Sequence, residues 1–200
     1  MKIGILAYQG GVYEHKYMLH KALSKLGISG EVILVKKLHQ LRNLDGIVIP
    51  GGESTTIGKI AEKTGVLSIL RDLIKEGLPA FGTCAGTIMM AKKVRDSVVG
   101  SVHQPLLGVM DIEVIRNYYG RQRESFEIDL QISKLGNKPF RGVFIRAPAI
   151  TNVWSDVSPL AKVEGIIVAA EQKHMLATTF HPELTSDTRF HELFINIIKR

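Results

Sequence analysis

Short apolar runs rich in valine and isoleucine alternate along this chain with longer segments whose apolar residues recur at a helical period. Residues 2–7 form the first run. Val12, Leu19, Ala22, Leu23 and Leu26 then mark one helical stripe, and Gly27 stands where a left-handed residue would end it. Residues 31–35 and 46–50 read as strands, Gly51-Gly52 as a turn, and 56–75 as one helix. Strand, glycine turn and helix recur over 78–91. Further strands are predicted near 108–115, 125–132, 141–145, 161–170 and 175–180, with a closing helix over 187–198. The continuous apolar strands of the first half predict an α/β fold with a buried parallel sheet covered by helices, whereas the second half has hairpin-like spacing. With no internal repeat, low-complexity tract or linker, one domain over residues 1–200 is expected.

Composition narrows the function classes. A content of 45% hydrophobic residues is enough for one substantial core. The N-terminal run reaches polar Tyr8-Gln9 too soon for a signal peptide, and no stretch has the ~18 apolar residues of a membrane span, so a soluble cytoplasmic protein is expected. A single cysteine, Cys84, excludes an internal disulfide framework and any multi-cysteine metal site. The net charge of +7 suits an acidic partner, but the basic residues are dispersed, with Lys36-Lys37 and Lys92-Lys93 plus Arg95 the longest clusters. No nucleic-acid partner is expected, because no basic run is interleaved with aromatics. His15 and His20 are five apart and misaligned for shared metal ligation, and His191-Glu192 has Ile195 where a second histidine would stand. Neither a metal nor a cofactor is expected.

The strongest chemical signal is Gly82-Thr83-Cys84-Ala85-Gly86, set between an apolar strand and a helical run. It has the form of a nucleophile elbow carrying cysteine: flanking glycines permit the sharp turn, which holds the sulfur at a strand end beside a helix N-terminus. His181-Pro182-Glu183 follows directly on the strand over 175–180, a rigid place for a base, and Glu183 can turn back to orient the imidazole. Gly51-Gly52-Glu53-Ser54-Thr55-Thr56 also ends a strand and opens a helix, so its N–H groups could meet an anion or oxyanion; a helix capped by Ser54 or Thr55 explains it equally. A phosphate-binding loop fails on spacing, since Lys59 is followed by Ile60. Arg116 and Arg146 each follow a predicted strand and could hold a substrate carboxylate bidentately, or make structural ion pairs.

In this order the segments resemble the class I glutamine amidotransferases. The elbow and Phe180-His181-Pro182-Glu183-Leu184 mark the wider class. Gly51-Gly52-Glu53-Ser54-Thr55, Asn117 with Tyr119-Gly120-Arg121-Gln122, Ser125-Phe126-Glu127 and Ile145-Arg146-Ala147-Pro148, together with Gln9-Gly10 and Glu14-His15, are similar to the branch that serves pyridoxal 5′-phosphate synthase. The resemblance covers nearly the whole chain. It implies a three-layer, flavodoxin-like fold with a mostly parallel open sheet, Cys84 as nucleophile with His181 and Glu183 completing the relay, and glutamine held by Gly51, Gly52, Glu53, Arg116, Ile145 and Arg146. The implied partner is a barrel synthase subunit with a dodecameric core, which takes ammonia released from L-glutamine and builds pyridoxal phosphate.

The chemistry expected is attack of the Cys84 thiolate on the side-chain amide, protonation of the leaving nitrogen by His181, and hydrolysis of a γ-glutamyl thioester. Backbone N–H groups of Ala85 and of Gly51-Gly52 are the expected oxyanion hole. Glycine at both turn positions would let a peptide reorient on partner docking, with Gln9 on the docking face. Two rival readings are a cysteine-elbow chaperone or deglycase, which does not call for His-Pro-Glu, and a silent partner-binding domain, which predicts loss of a triad member.

Overall fold

The computed structural model describes residues 1–101, 103–119 and 125–200. In chain order the first half contains β1 (Lys2–Leu6), α1 (Val12–Lys25), β2 (Glu31–Val35), β3 (Gly46–Ile49), α2 (Ser54–Lys63), α3 (Val66–Lys75), β4 (Ala80–Thr83) and α4 (Ala85–Met90). The strands β5 (Ala91–Asp96), β6 (Gly100–Ser101), β7 (Met110–Arg116), β8 (Phe126–Leu130), β9 (Phe140–Phe144) and β10 (Ala149–Val153) follow. The chain continues through β11 (Ser158–Val163), β12 (Ile166–Gln172) and β13 (Met175–Thr178) to α5 (Arg189–Ile198).

The centre of the main sheet is parallel and runs β2-β1-β3-β4-β13. Beyond β13 it continues through β12, β10 and β7 with antiparallel pairing, then through β5, which is parallel to β7, to β6. Strand β11 pairs with β12, and β8 with β9 forms a separate two-stranded ribbon.

Successive residues of a strand point to opposite faces, and here both faces are buried. Ile47, Ile49 and Ala177 pack with Ile57, Leu67, Leu70 and Ile88 of α2, α3 and α4, while Val48, Phe81 and Leu176 pack with Leu19 and Leu23 of α1 and Phe190 and Phe194 of α5. This mostly parallel central sheet between two helical layers is the expected architecture, and burial on both sides is why its strands read as unbroken apolar runs.

The structure differs from the sequence reading at several elements. The single helix expected over 56–75 is two, because Gly65 adopts φ 73° between α2 and α3. The amphipathic stripe continues across the break through Ile57, Ala61, Val66 and Leu70, so periodicity could not reveal it. The cap of α2 is Glu53, not Ser54 or Thr55, the caps that the sequence offered; its carboxylate accepts from the Thr55 and Thr56 N–H groups at 3.0 and 2.7 Å. The strand expected over 161–170 is the β11–β12 hairpin, turned at Glu164 (φ 49°) and Gly165 (φ 83°). Strands β5, β6 and β10 have no counterpart in the sequence reading. Three of β5's six positions, Lys92, Lys93 and Arg95, are exposed and basic, which hides its alternation.

Helix α4 lies so close to the sheet that a Cβ on Gly86 would come within 1.9 Å of the Ile49 carbonyl oxygen. Backbone of β3 would have to move. Gly86→Ala should therefore destabilise the fold by about 3 kcal/mol, read as a lowered midpoint of urea denaturation; an unchanged midpoint would show that the approach is not required.

Candidate active site

The elbow forms as its sequence requires. Cys84 sits at the N-cap of α4 with φ 48° and ψ −105°, a strained conformation for a residue with a side chain. Its N–H donates to the Thr178 carbonyl at 2.8 Å, tying the elbow to the end of β13. A Cβ on Gly82 would lie 2.7 Å from both the Gly86 carbonyl carbon and Met90 Sδ. Only glycine fits on each side of the cysteine. The Thr87 hydroxyl, 3.1 Å from the Gly82 carbonyl and 2.6 Å from that of Thr178, fastens the turn from beneath.

Register then brings the second group alongside. Thr83 of β4 pairs with Thr178 of β13, so the residues after each strand emerge at one sheet edge. His181 is fixed there by its N–H bond to the Val143 carbonyl at 2.8 Å. Its side chain hydrogen-bonds with that of Cys84, and its Nδ1 lies 2.7 Å from Glu183 Oε1. Burial works against charge on the imidazole, but the bonds to Cys84 and Glu183 outweigh it and push the pKa up to about 10. Burial likewise opposes charge on Glu183, yet the neighbouring His15 and the bond from His181 hold its carboxyl down at about 2. Gly51 lies against the imidazole: a Cβ there would be 2.5 Å from His181 Cε1 and 3.5 Å from Cys84 Cβ.

Behind the Glu183 carboxylate is a layer that sequence reasoning missed. His15 of α1, rejected from the sequence as a metal ligand and given no catalytic role there, is completely buried, with Nε2 3.4 Å from Glu183 Oε2 and 3.1 Å from Thr83 Oγ1. Its Nδ1 meets Nε2 of His191, also completely buried, at 3.0 Å. Gly11 leaves room for the carboxylate, since a Cβ there would be 2.9 Å from Glu183 Oε1. A signal was present: His15 lies three residues after Val12 and four before Leu19, on the buried stripe of α1.

The space in front of Cys84 and His181 is a pocket of about 530 Å³, walled by Gln9, Gly10, Gly52, Glu53, Ser54, Ile88, Arg116, Asn117, Ile145, Arg146 and Pro148. Gln9, Gly52, Glu53, Arg116, Ile145 and Arg146, all singled out from the sequence, thus share one cavity. Gly51 stands behind its wall, under the imidazole, and Ala85 is buried at the start of α4. Gln9 Oε1 accepts the Glu53 N–H at 2.9 Å and so pins the turn after β3. The two arginines differ. Arg116 is committed to its own protein, donating to Gln104 Oε1 at 2.6 Å, Thr55 Oγ1 at 2.9 Å and Glu53 Oε1 at 3.2 Å. Arg146 is exposed, holds φ 43°, and makes no hydrogen bond or ion pair among the described residues. Gly120, Arg121 and Gln122 lie outside the described residues, while Tyr119 packs edge-on against Phe126 and Phe144. A more open groove of about 840 Å³ between Lys36 and Leu73 contains none of the candidate residues.

Comparison with known proteins agrees with this geometry. The model of the SNO glutamine amidotransferase family matches residues 5–200. The chain is 60% identical to the pyridoxal 5′-phosphate synthase subunit PdxT of Staphylothermus marinus and 57% identical to that of Aeropyrum pernix, covering 100% of both proteins in each comparison. A crystal structure of a glutamine amidotransferase superposes with a TM-score of 0.85 at 44% identity, covering 99% of each chain. A second glutamine amidotransferase, from Thermotoga maritima, shares the fold alone, with a TM-score of 0.62 at 16% identity over 100% of this chain and 84% of that one. A family model matched from β1 to the last residue, and relatives of this identity over their full length, establish that the chain belongs to the SNO glutamine amidotransferase family.

Proposed function

We propose that this chain is the glutaminase subunit of a pyridoxal 5′-phosphate synthase, hydrolysing L-glutamine to L-glutamate and ammonia at the pocket that holds Cys84 and His181. The observation that carries this reading is the hydrogen-bonded series Cys84, His181, Glu183 at the mouth of a closed elbow, in a member of an amidotransferase family. With His181 protonated beside it, Cys84 has a cation to stabilise its thiolate. The thiolate attacks the amide carbon; His181 gives its proton to the departing nitrogen, and ammonia leaves a γ-glutamyl thioester. His181, now neutral, takes a proton from water, whose oxygen displaces the sulfur and yields glutamate. The Ala85 N–H and the Gly51-Gly52 turn form the oxyanion hole in this proposal. With all three triad members present, neither a silent domain nor a cysteine-elbow chaperone or deglycase is favoured.

Glutamine is held through its α-amino acid end. Arg146, with its guanidinium uncommitted, takes the α-carboxylate as a bidentate fork. Glu53, kept ionised against burial by bonds from Thr56 and Thr55, offers charge to the α-ammonium. Arg116 acts through Glu53, to which it is bonded, and Gly51, Gly52 and Ile145 shape the wall. The relatives' names support a second, synthase subunit as the recipient of ammonia; in our reading it is a barrel protein with a dodecameric core that docks over Gln9. Since Gln9 pins the glycine turn through the Glu53 N–H, docking there can reorient a Gly51-Gly52 peptide and complete the oxyanion hole. The whole chain, residues 1–200, acts as one glutaminase domain. A free thiol nucleophile suits the cytoplasm, and among the described residues no helix is long and apolar enough to cross a membrane.

Two experiments test the proposal. Glutamate release should be slow for the chain alone, rise on adding the synthase subunit, and vanish in Cys84→Ala while the circular dichroism spectrum is kept; turnover by that variant would remove Cys84 from the mechanism. Arg146→Ala should raise KM for glutamine by at least ~10-fold with little change in kcat, as expected for loss of a charge-assisted bond formed equally in ground and transition states. An unchanged KM would assign the carboxylate to another group.

A further inference from the structure

The Glu183 carboxylate uses only one oxygen on His181. Oε1 faces His181 Nδ1 at 2.7 Å, whereas Oε2 is buried without a hydrogen bond, its nearest counter-group being His15 Nε2 at 3.4 Å. A buried carboxylate oxygen without such a neighbour is costly. The polarity of the His15 ring is therefore decisive. Were Nε2 bare, its lone pair would confront Oε2 directly. With the proton on Nε2, the N–H edge is shared between Thr83 Oγ1 at 3.1 Å and Oε2, leaving Nδ1 to accept from His191 Nε2–H at 3.0 Å. That assignment leaves His191 Nδ1 as a bare acceptor, and this buried atom has no hydrogen-bond partner. Every facing pair is then donor to acceptor with both rings neutral, the state that complete burial favours for each.

The geometry points to His15 as a positioning residue for the cysteine–histidine pair: held in one tautomer by His191, it fixes Glu183 so that Oε1 stays on His181 Nδ1. The groups that bear on His15 are Glu183, His181, Glu14 of its own helix and His191 of α5. Two helices from the same face of the sheet, α1 and α5, thus set the orientation of a residue that follows β13. His15 is not among the residues that line the pocket. Its influence passes through the carboxylate: without the N–H edge, Oε2 faces no donor, the negative charge is less well held, and His181 loses part of what keeps it protonated beside Cys84.

The test exploits the single cysteine, since iodoacetamide labelling of the intact chain reads only Cys84. His15→Gln keeps an N–H donor near the position of Nε2; His15→Asn, one carbon shorter, withdraws it. In His15→Asn the labelling rate at pH 7 should fall by about tenfold, the factor that about 1.4 kcal/mol of lost support would produce, and the rate-against-pH curve should move to higher pH. With the synthase subunit present, its kcat for glutamine should fall by a similar factor at unchanged KM. His15→Gln should restore both to within about threefold of the wild type, the allowance being for its flexible side chain. The inference fails if His15→Asn labels with the wild-type profile, or if His15→Gln loses as much as His15→Asn, which would make His15 mere packing. Should His15→Asn not fold, His15→Gln decides alone: a wild-type labelling profile supports the donor role, a shifted one contradicts it. The inference deepens the catalytic reading of Cys84, but labelling needs neither glutamine nor partner, so a failure of that reading in the turnover assays remains distinguishable.

Discussion

The site depends on one constraint, the parallel pairing of β4 with β13, strands separated by nearly half of the chain. Thr83 opposite Thr178 sets Cys84 and His181 at the same level of the same sheet edge, and the Cys84 N–H bond to Thr178 locks the elbow to that register. A slip of one residue would turn every side chain of β13 to the other face. Ala177 and Leu176, which now pack on opposite layers, resist such a slip. Burial of an ordinary α/β core thereby fixes the geometry of the pair.

The neighbouring strands add the remaining walls by the same logic. Strand β3 lies beside β4 and delivers Gly51, Gly52 and Glu53; β1 lies beside β3 and delivers Gln9. Ligands of open α/β sheets gather at the carboxyl ends of the parallel strands because their turns converge there. Close approach is made possible by the absence of side chains. Gly10, Gly51, Gly82 and Gly86 each occupy a place where a Cβ would come within 2.7 Å of a neighbouring atom. The strain at Cys84, of order 1–3 kcal/mol for such a conformation, is sustained by this packing and by the bond of its N–H to the Thr178 carbonyl.

Much of this was legible in the sequence, and the failures have physical causes. The elbow and the His-Pro-Glu segment could be read because their chemistry demands particular residues at fixed local spacing, and both lie where expected. The break between α2 and α3 could not, since a left-handed Gly65 interrupts the backbone without interrupting the apolar stripe. Which arginine is committed was equally hidden: Arg116 meets Glu53 and Gln104 only through tertiary contacts, and Arg146 stays unpaired among the described residues for the same reason. His15 shows the limit most clearly. Its place on a buried helical stripe was readable, but its partners Thr83, Glu183 and His191 come from three separate segments.

The account's central claim is that the sheet register holds His181 as a cation beside Cys84, ready to stabilise a thiolate. The most direct measurement is the titration of His181 by imidazole nitrogen NMR in the intact chain, with Cys84→Ala as reference. The account predicts a His181 that stays protonated well above neutrality, with its midpoint near the value of about 10 that its bonds to Cys84 and Glu183 produce against burial, and a clearly lower midpoint in Cys84→Ala. A wild-type His181 titrating at the ordinary histidine value of about 6.5, unmoved by loss of the thiol, would contradict it.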